Sequence, residues 1–139
     1  MRFALALAAA GTFASWSSVA LAQTYICNFP RAAPLDSQHI LPDQSTVTLD
    51  ASGETATAHD PVIEIVHGGP IEVRVSHNTD KRLTVKWELE RDKRVFYTLS
   101  IYRPALNADI QLDNPPSVGN GAPKYGNDFQ GAKGQCVER

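Results

Sequence analysis

Leu83-Thr84-Val85-Lys86-Trp87-Glu88-Leu89 decides the fold. Four apolar side chains sit at odd positions, with Thr84, Lys86 and Glu88 between them. That is the period of two expected of a strand with one buried and one wet face. The same alternation runs through Ile71–Val75 upstream and Leu106–Leu112 downstream. Val95–Tyr102 is rich in β-formers, with aromatics on both faces, and Val62–Val66 is a short, nearly continuous apolar run. Such a run suits a strand covered on both sides.

Turn residues separate these runs. Asp50–Gly53, His67–Pro70, Ser76–Asp80 and Arg91–Arg94 are short and polar or glycine-bearing, as hairpin loops require. Loops this short join antiparallel neighbours, because a parallel return needs a dozen or more residues. The chain therefore reads as all-β, a single antiparallel meander forming a small barrel or sandwich. Its strands are expected at Thr46–Asp50, Glu54–His59, Val62–Val66, Ile71–Val75, Leu83–Glu90, Val95–Tyr102 and Leu106–Leu112, with Tyr25–Phe29 and Gly134–Glu138 at the ends. The expected core holds Val47, Leu49, Ile63, Ile65, Val73, Val75, Val85, Trp87, Leu89, Tyr97, Leu99 and Ile110.

Register follows from the same faces. Pairing Val75 with Leu83 sets Val73 against Val85 and Glu72 against Lys86, an opposite-charge pair on the wet face. Pairing Leu89 with Val95 sets Trp87 against Tyr97. The third hairpin breaks parity, since Ile101 is odd and Leu106 even; either a bulge restores it or the strand is buried on both faces.

The N-terminus carries an export signature. Arg2 is a minimal basic region, Phe3–Ala14 an apolar one, and Ala20-Leu21-Ala22 a small-x-small cleavage site ahead of Gln23. Residues 1–22 read as a signal peptide of the general secretory route, and residues 23–139 as one domain in the periplasm. Position 23 is Gln, where a lipid anchor needs Cys. Removing the signal leaves 117 residues carrying a net charge of −3. That is enough chain for one modest core, and a slightly acidic balance argues against a nucleic-acid partner. No other apolar stretch approaches the ~20 residues of a membrane span.

Two cysteines remain in the mature chain, Cys27 and Cys136. An even count in an exported protein reads as a disulfide, and two cysteines permit one connectivity. Closing so long a loop corresponds to roughly 4–5 kcal/mol in the chain-entropy treatment. The bond is expected to tie the terminal strands.

Chemistry-bearing motifs are scarce. The histidines His39, His59, His67 and His77 fall in loops or at strand ends without the spacing of a metal site, and no cofactor is expected. There is no G-x-S-x-G, H-E-x-x-H, P-loop or G-x-G-x-x-G. The basic groups Lys81-Arg82 and Arg91–Arg94 lie at opposite ends of one strand, about 25 Å apart. The segment Asp113–Gly134 holds Tyr125 and Phe129 among five glycines and three prolines. Those two rings are expected either to plug one end of the barrel or, for Tyr125, to anchor a partner.

The Tyr25-x-Cys27 opening, the Gly134-x-Cys136 ending and the small β body behind a signal resemble short exported β-barrel proteins of Gram-negative bacteria. These include uncharacterised periplasmic proteins of alphaproteobacteria and, more distantly, the periplasmic C-type lysozyme inhibitors. The resemblance covers the two ends and the size. In the inhibitors a loop carries S-G-x-x-Y; here Ser52-Gly53 is followed by Glu54, Thr55 and Ala56, so no inhibitory residue carries over. The expected function is a monomeric, exported binding or interaction protein without catalysis, its partner a periplasmic protein or small ligand. The alternatives are a carrier of an apolar ligand, a hydrolase inhibitor and, last, a small enzyme.

Overall fold

The decisive stretch lies in strand β5 (Arg82–Arg91), which pairs with β6 (Lys93–Tyr102). Leu89 faces Val95 and Trp87 faces Tyr97, as the alternation predicts. The computed structural model describes residues 20–30, 40–91, 93–114, 117–121, 124 and 131–139. Around this hairpin it places β1 (Gln23–Asn28), β2 (Gln44–Leu49), β3 (Thr55–His59), helix α1 (Pro61–His67), β4 (Ile71–Asn78), β7 (Asn107–Asp113) and β8 (Ala132–Glu138). Every neighbouring pair is antiparallel, and β8 returns to β1, so the meander closes into an eight-stranded barrel rather than a sandwich. No helix among the described residues is long and apolar enough to cross a membrane.

The inward faces are those the alternation selected. Val47, Leu49, Val85, Leu89, Tyr97, Leu99 and Ile110 are buried, joined by Tyr25, Cys27, Leu83, Val95 and Ile101. Trp87 and Tyr97 stack nearly parallel with their ring centroids 5.4 Å apart. The Tyr97 hydroxyl donates to the Ile40 carbonyl at 2.7 Å, tying the segment after β1 onto the barrel core.

Five expectations need correction. Val62–Val66 is not a strand but lies within α1. Asp60 caps that helix by accepting from the Val62 and Ile63 amides, Pro61 takes its first turn, and Gly68 ends it at φ 75°. Those are the start and stop signals of a helix, and they outweigh β-branched propensity in so short a run. Ile65 consequently leaves the core: Val62 and Ile63 point inward, while Ile65 is 55% exposed. Val75 is only half-buried, because a bulge between Val75 and His77 ends the regular ladder of β4 with β5.

The register of β4 against β5 also departs from the expected one, because the ladder runs on past the bulge to Asn78 and Leu83. Val75 faces Val85 and Arg74 faces Lys86, so Glu72 does not meet Lys86. At the third hairpin parity is restored by neither a bulge nor double burial. Leu106 sits in the turn at φ 63°, its amide bonded to the Tyr102 carbonyl, and Ile101 faces Ala108.

The barrel closes where β1 meets β8. Cys27 and Cys136 are directly opposed and disulfide-bonded, which ties the first strand to the last as expected. Beyond them Thr24 and Arg139 exchange both backbone hydrogen bonds. Gly134 explains the second half of the terminal signature: a Cβ there would stand 2.0 Å from the Asn28 carbonyl oxygen. Backbone cannot yield as a side-chain tip does, so Gly134→Ala is expected to destabilise by about 1–3 kcal/mol. Urea unfolding of oxidised protein measures it; an unchanged midpoint would mean that the seam has slack.

Candidate functional site

Three places on the described surface bring polar side chains together. The largest is a groove of about 400 Å³ on the outer face of β4–β7. One wall is the row Arg74, Lys86 and Thr98, set side by side by the β4–β5 and β5–β6 registers. The other is the row Glu88, Phe96 and Asp113, which the β5–β6 and β6–β7 registers align. Two residues separate the rows along each strand, about 6–7 Å. Phe96 is 42% exposed, a large apolar ring standing among charges. Glu88 leans toward Arg94, with 3.8 Å between charged atoms.

The second place is a recess of about 350 Å³ beside the start of α1, lined by Gln44, Thr46, His59, Asp60, Pro61 and Glu64. His59 Nε2 and Glu64 Oε2 are 2.7 Å apart on the exposed rim. Behind them the buried Ser45 hydroxyl donates to Asp60 at 3.4 Å. These are two separate pairs: the hydroxyl lies on the carboxylate that caps the helix, not on the imidazole. Ser45 is fully buried, so its oxygen has no path to an external substrate.

Asp60 nevertheless leaves a pH signature. Burial pushes its carboxyl from 3.8 up to about 6, although the Ile63 and Val62 amides and the Ser45 hydroxyl pull the other way. A carboxyl that binds its proton more tightly in the fold stabilises the fold at low pH. That contribution, about 3 kcal/mol, is full below pH 3.8 and is lost as pH rises through 6. Asp50, held down to about 2 by the Ser52 and Thr55 hydroxyls in the β2–β3 turn, acts in the opposite sense but only below pH 3.8. Between pH 7.5 and 4.5 the urea midpoint is therefore expected to rise, as the free energy of unfolding gains about 2 kcal/mol. Asp60→Asn keeps a capping oxygen and should flatten the profile over that range. An equally steep profile in that variant would assign the effect elsewhere.

The third place closes the opposite end of the barrel. The Arg103 guanidinium donates to the Tyr25 hydroxyl at 2.8 Å and to Asn78 Oδ1 at 2.9 Å, and it also lies over the Tyr25 ring. The Tyr25 hydroxyl in turn donates to Gln23. This network fastens the β6–β7 turn to β1 and to the end of β4, which gives Tyr25 of the opening signature a closing role.

Of the residues singled out in the sequence, Cys27 and Cys136 are brought together. Ala22 is exposed, and Gln23 is the first residue of β1. Tyr125, Phe129 and His39 lie outside the described residues. His67 and His77 are exposed and far from one another in the chain, and no group of three metal-ligating side chains occurs among the described residues. Arg74, Phe96 and Thr98 were not visible as a group, since only the observed register sets Arg74 beside Lys86. The chain matches no family model, no curated protein and no solved structure.

Proposed function

We propose that residues 23–139 form an exported, periplasmic binding module that acts as a monomer, engages a partner through the outer face of β4–β7, and performs no catalysis. The observation carrying this reading is the groove itself. It combines an exposed aromatic ring with charges of both signs on a rigid sheet, and interfaces favour such a ring beside polar contacts. The signal-like N-terminus and the cysteine pair support export. The inward side chains of β5 and β6 are buried against one another, and the described recesses all open on the outside. That arrangement favours surface recognition over carriage of an apolar ligand in the lumen.

Native mass spectrometry of protein taken from its own periplasm separates the two readings. The module is expected to appear free or with a stoichiometric protein partner. A retained lipid-sized mass would transfer the function to the lumen and make the protein a carrier.

A further inference from the structure

Two pairs of charged residues that face each other across this barrel are matched by sign. Asp109 faces Lys133 on β7–β8, with 3.2 Å between charged atoms, and Glu90 faces Arg94 on β5–β6. Two pairs are alike in sign: Arg91 and Lys93 at the turn end of the β5–β6 hairpin, and Arg74 and Lys86 within the sheet. Arg74 and Lys86 are directly opposed on β4 and β5, both exposed, and neither side chain has a hydrogen bond or ion pair with any described residue. Like charges directly opposite each other destabilise a sheet. A surface shaped only for stability would carry an acid at one of the two positions.

We propose that the Arg74–Lys86 pair seats a carboxylate from an acidic segment of a partner protein, with Phe96 receiving an apolar side chain from the same segment. This rests on the binding-module reading above and names the chemistry of its partner. The two cations supply donors for both carboxylate oxygens, and the Thr98 hydroxyl continues their row. Phe96 stands in the next row, so an acid and an apolar residue two apart on an extended segment match the spacing. Glu88 and Asp113 line the far wall beside Phe96. Their charge disfavours a compact dianion such as phosphate and favours a single carboxylate with an apolar neighbour.

The test uses the oxidised mature protein and a fluorescent peptide of alternating glutamate and phenylalanine. Its lysine-for-glutamate counterpart and inorganic phosphate serve as competitors. The acidic peptide is expected to bind, more weakly as salt rises, and neither competitor should displace it. Lys86→Gln should weaken binding about tenfold, and Lys86→Glu should abolish it while raising the thermal midpoint, because an acid then faces Arg74. That opposite movement of binding and stability separates a recognition role from a structural one. No binding of the acidic peptide by the wild-type protein, equal binding by Lys86→Glu, or displacement by phosphate would overturn the proposal. If the peptide fails while a partner protein still contacts Phe96, the module reading stands and only the acidic chemistry falls.

Discussion

Replacing Cys27 and Cys136 together by alanine should lower the free energy of unfolding by about 2–5 kcal/mol. Two features place the effect at that size. The bond closes a loop spanning 109 positions, nearly all of residues 23–139, so its loss restores great freedom to the unfolded state. It also joins β1 to β8, the one strand pair whose partners lie at opposite ends of the sequence. Every other neighbouring pair is consecutive in the chain and is held close by its own connection. Both cysteines are buried, so the bond packs as part of the core as well. Urea unfolding of the oxidised wild type, the reduced wild type and the double variant measures the effect. The two thiol-free or reduced forms should agree, each well below the oxidised protein. Coincident midpoints for all three would mean that backbone pairing alone holds the seam.

Tyr97→Ala should cost about 3–5 kcal/mol, in the range of other buried aromatics cut to alanine. Tyr97 is 1% exposed, its ring lies on Trp87, and its hydroxyl holds the Ile40 carbonyl. Truncation therefore opens a cavity beneath the indole and releases the segment around Ile40 and Leu41, both of which are buried. Tyr97→Phe separates the two contributions, since it keeps the ring and gives up only the hydroxyl. That variant should cost about 1 kcal/mol. Equal losses for the two variants would place the energy in the hydrogen bond rather than in packing.

Trp87 illustrates a different cost. Its indole N–H is buried without a hydrogen-bond partner among the described residues. A donor in that condition carries a desolvation penalty which the stack on Tyr97 and the buried area of the ring offset.

The sheet was legible wherever one face is wet, because alternation there is unambiguous. β5 and β6 pair as expected because a tight connection leaves them one register that buries Trp87, Leu89, Val95 and Tyr97 together. The terminal strands were legible through chemistry: two cysteines at the chain ends admit one bond. Val62–Val66 was not legible because four apolar residues around Glu64 carry no period of their own. The deciding signals stood outside the run, in Asp60-Pro61 before it and Gly68-Gly69 after it. The groove was not legible for a related reason. A bulge adds a residue to one strand without a composition mark; with the one at Val75–His77 and a turn tightened to the residues between Asn78 and Leu83, Arg74 rather than Glu72 stands opposite Lys86. A salt bridge became two unmatched cations, and with it a stabilising contact became a candidate recognition element.

Site-specific photo-crosslinking tests most directly whether recognition takes place on the outer face of β4–β7. A photoreactive phenylalanine analogue at position 96, in the groove, is compared with the same analogue at the exposed Thr57 on β3, three strands away. In the producing cell, position 96 should yield one adduct of defined mass and position 57 none. The same adducts from both positions, or an adduct from position 57 alone, would contradict the account.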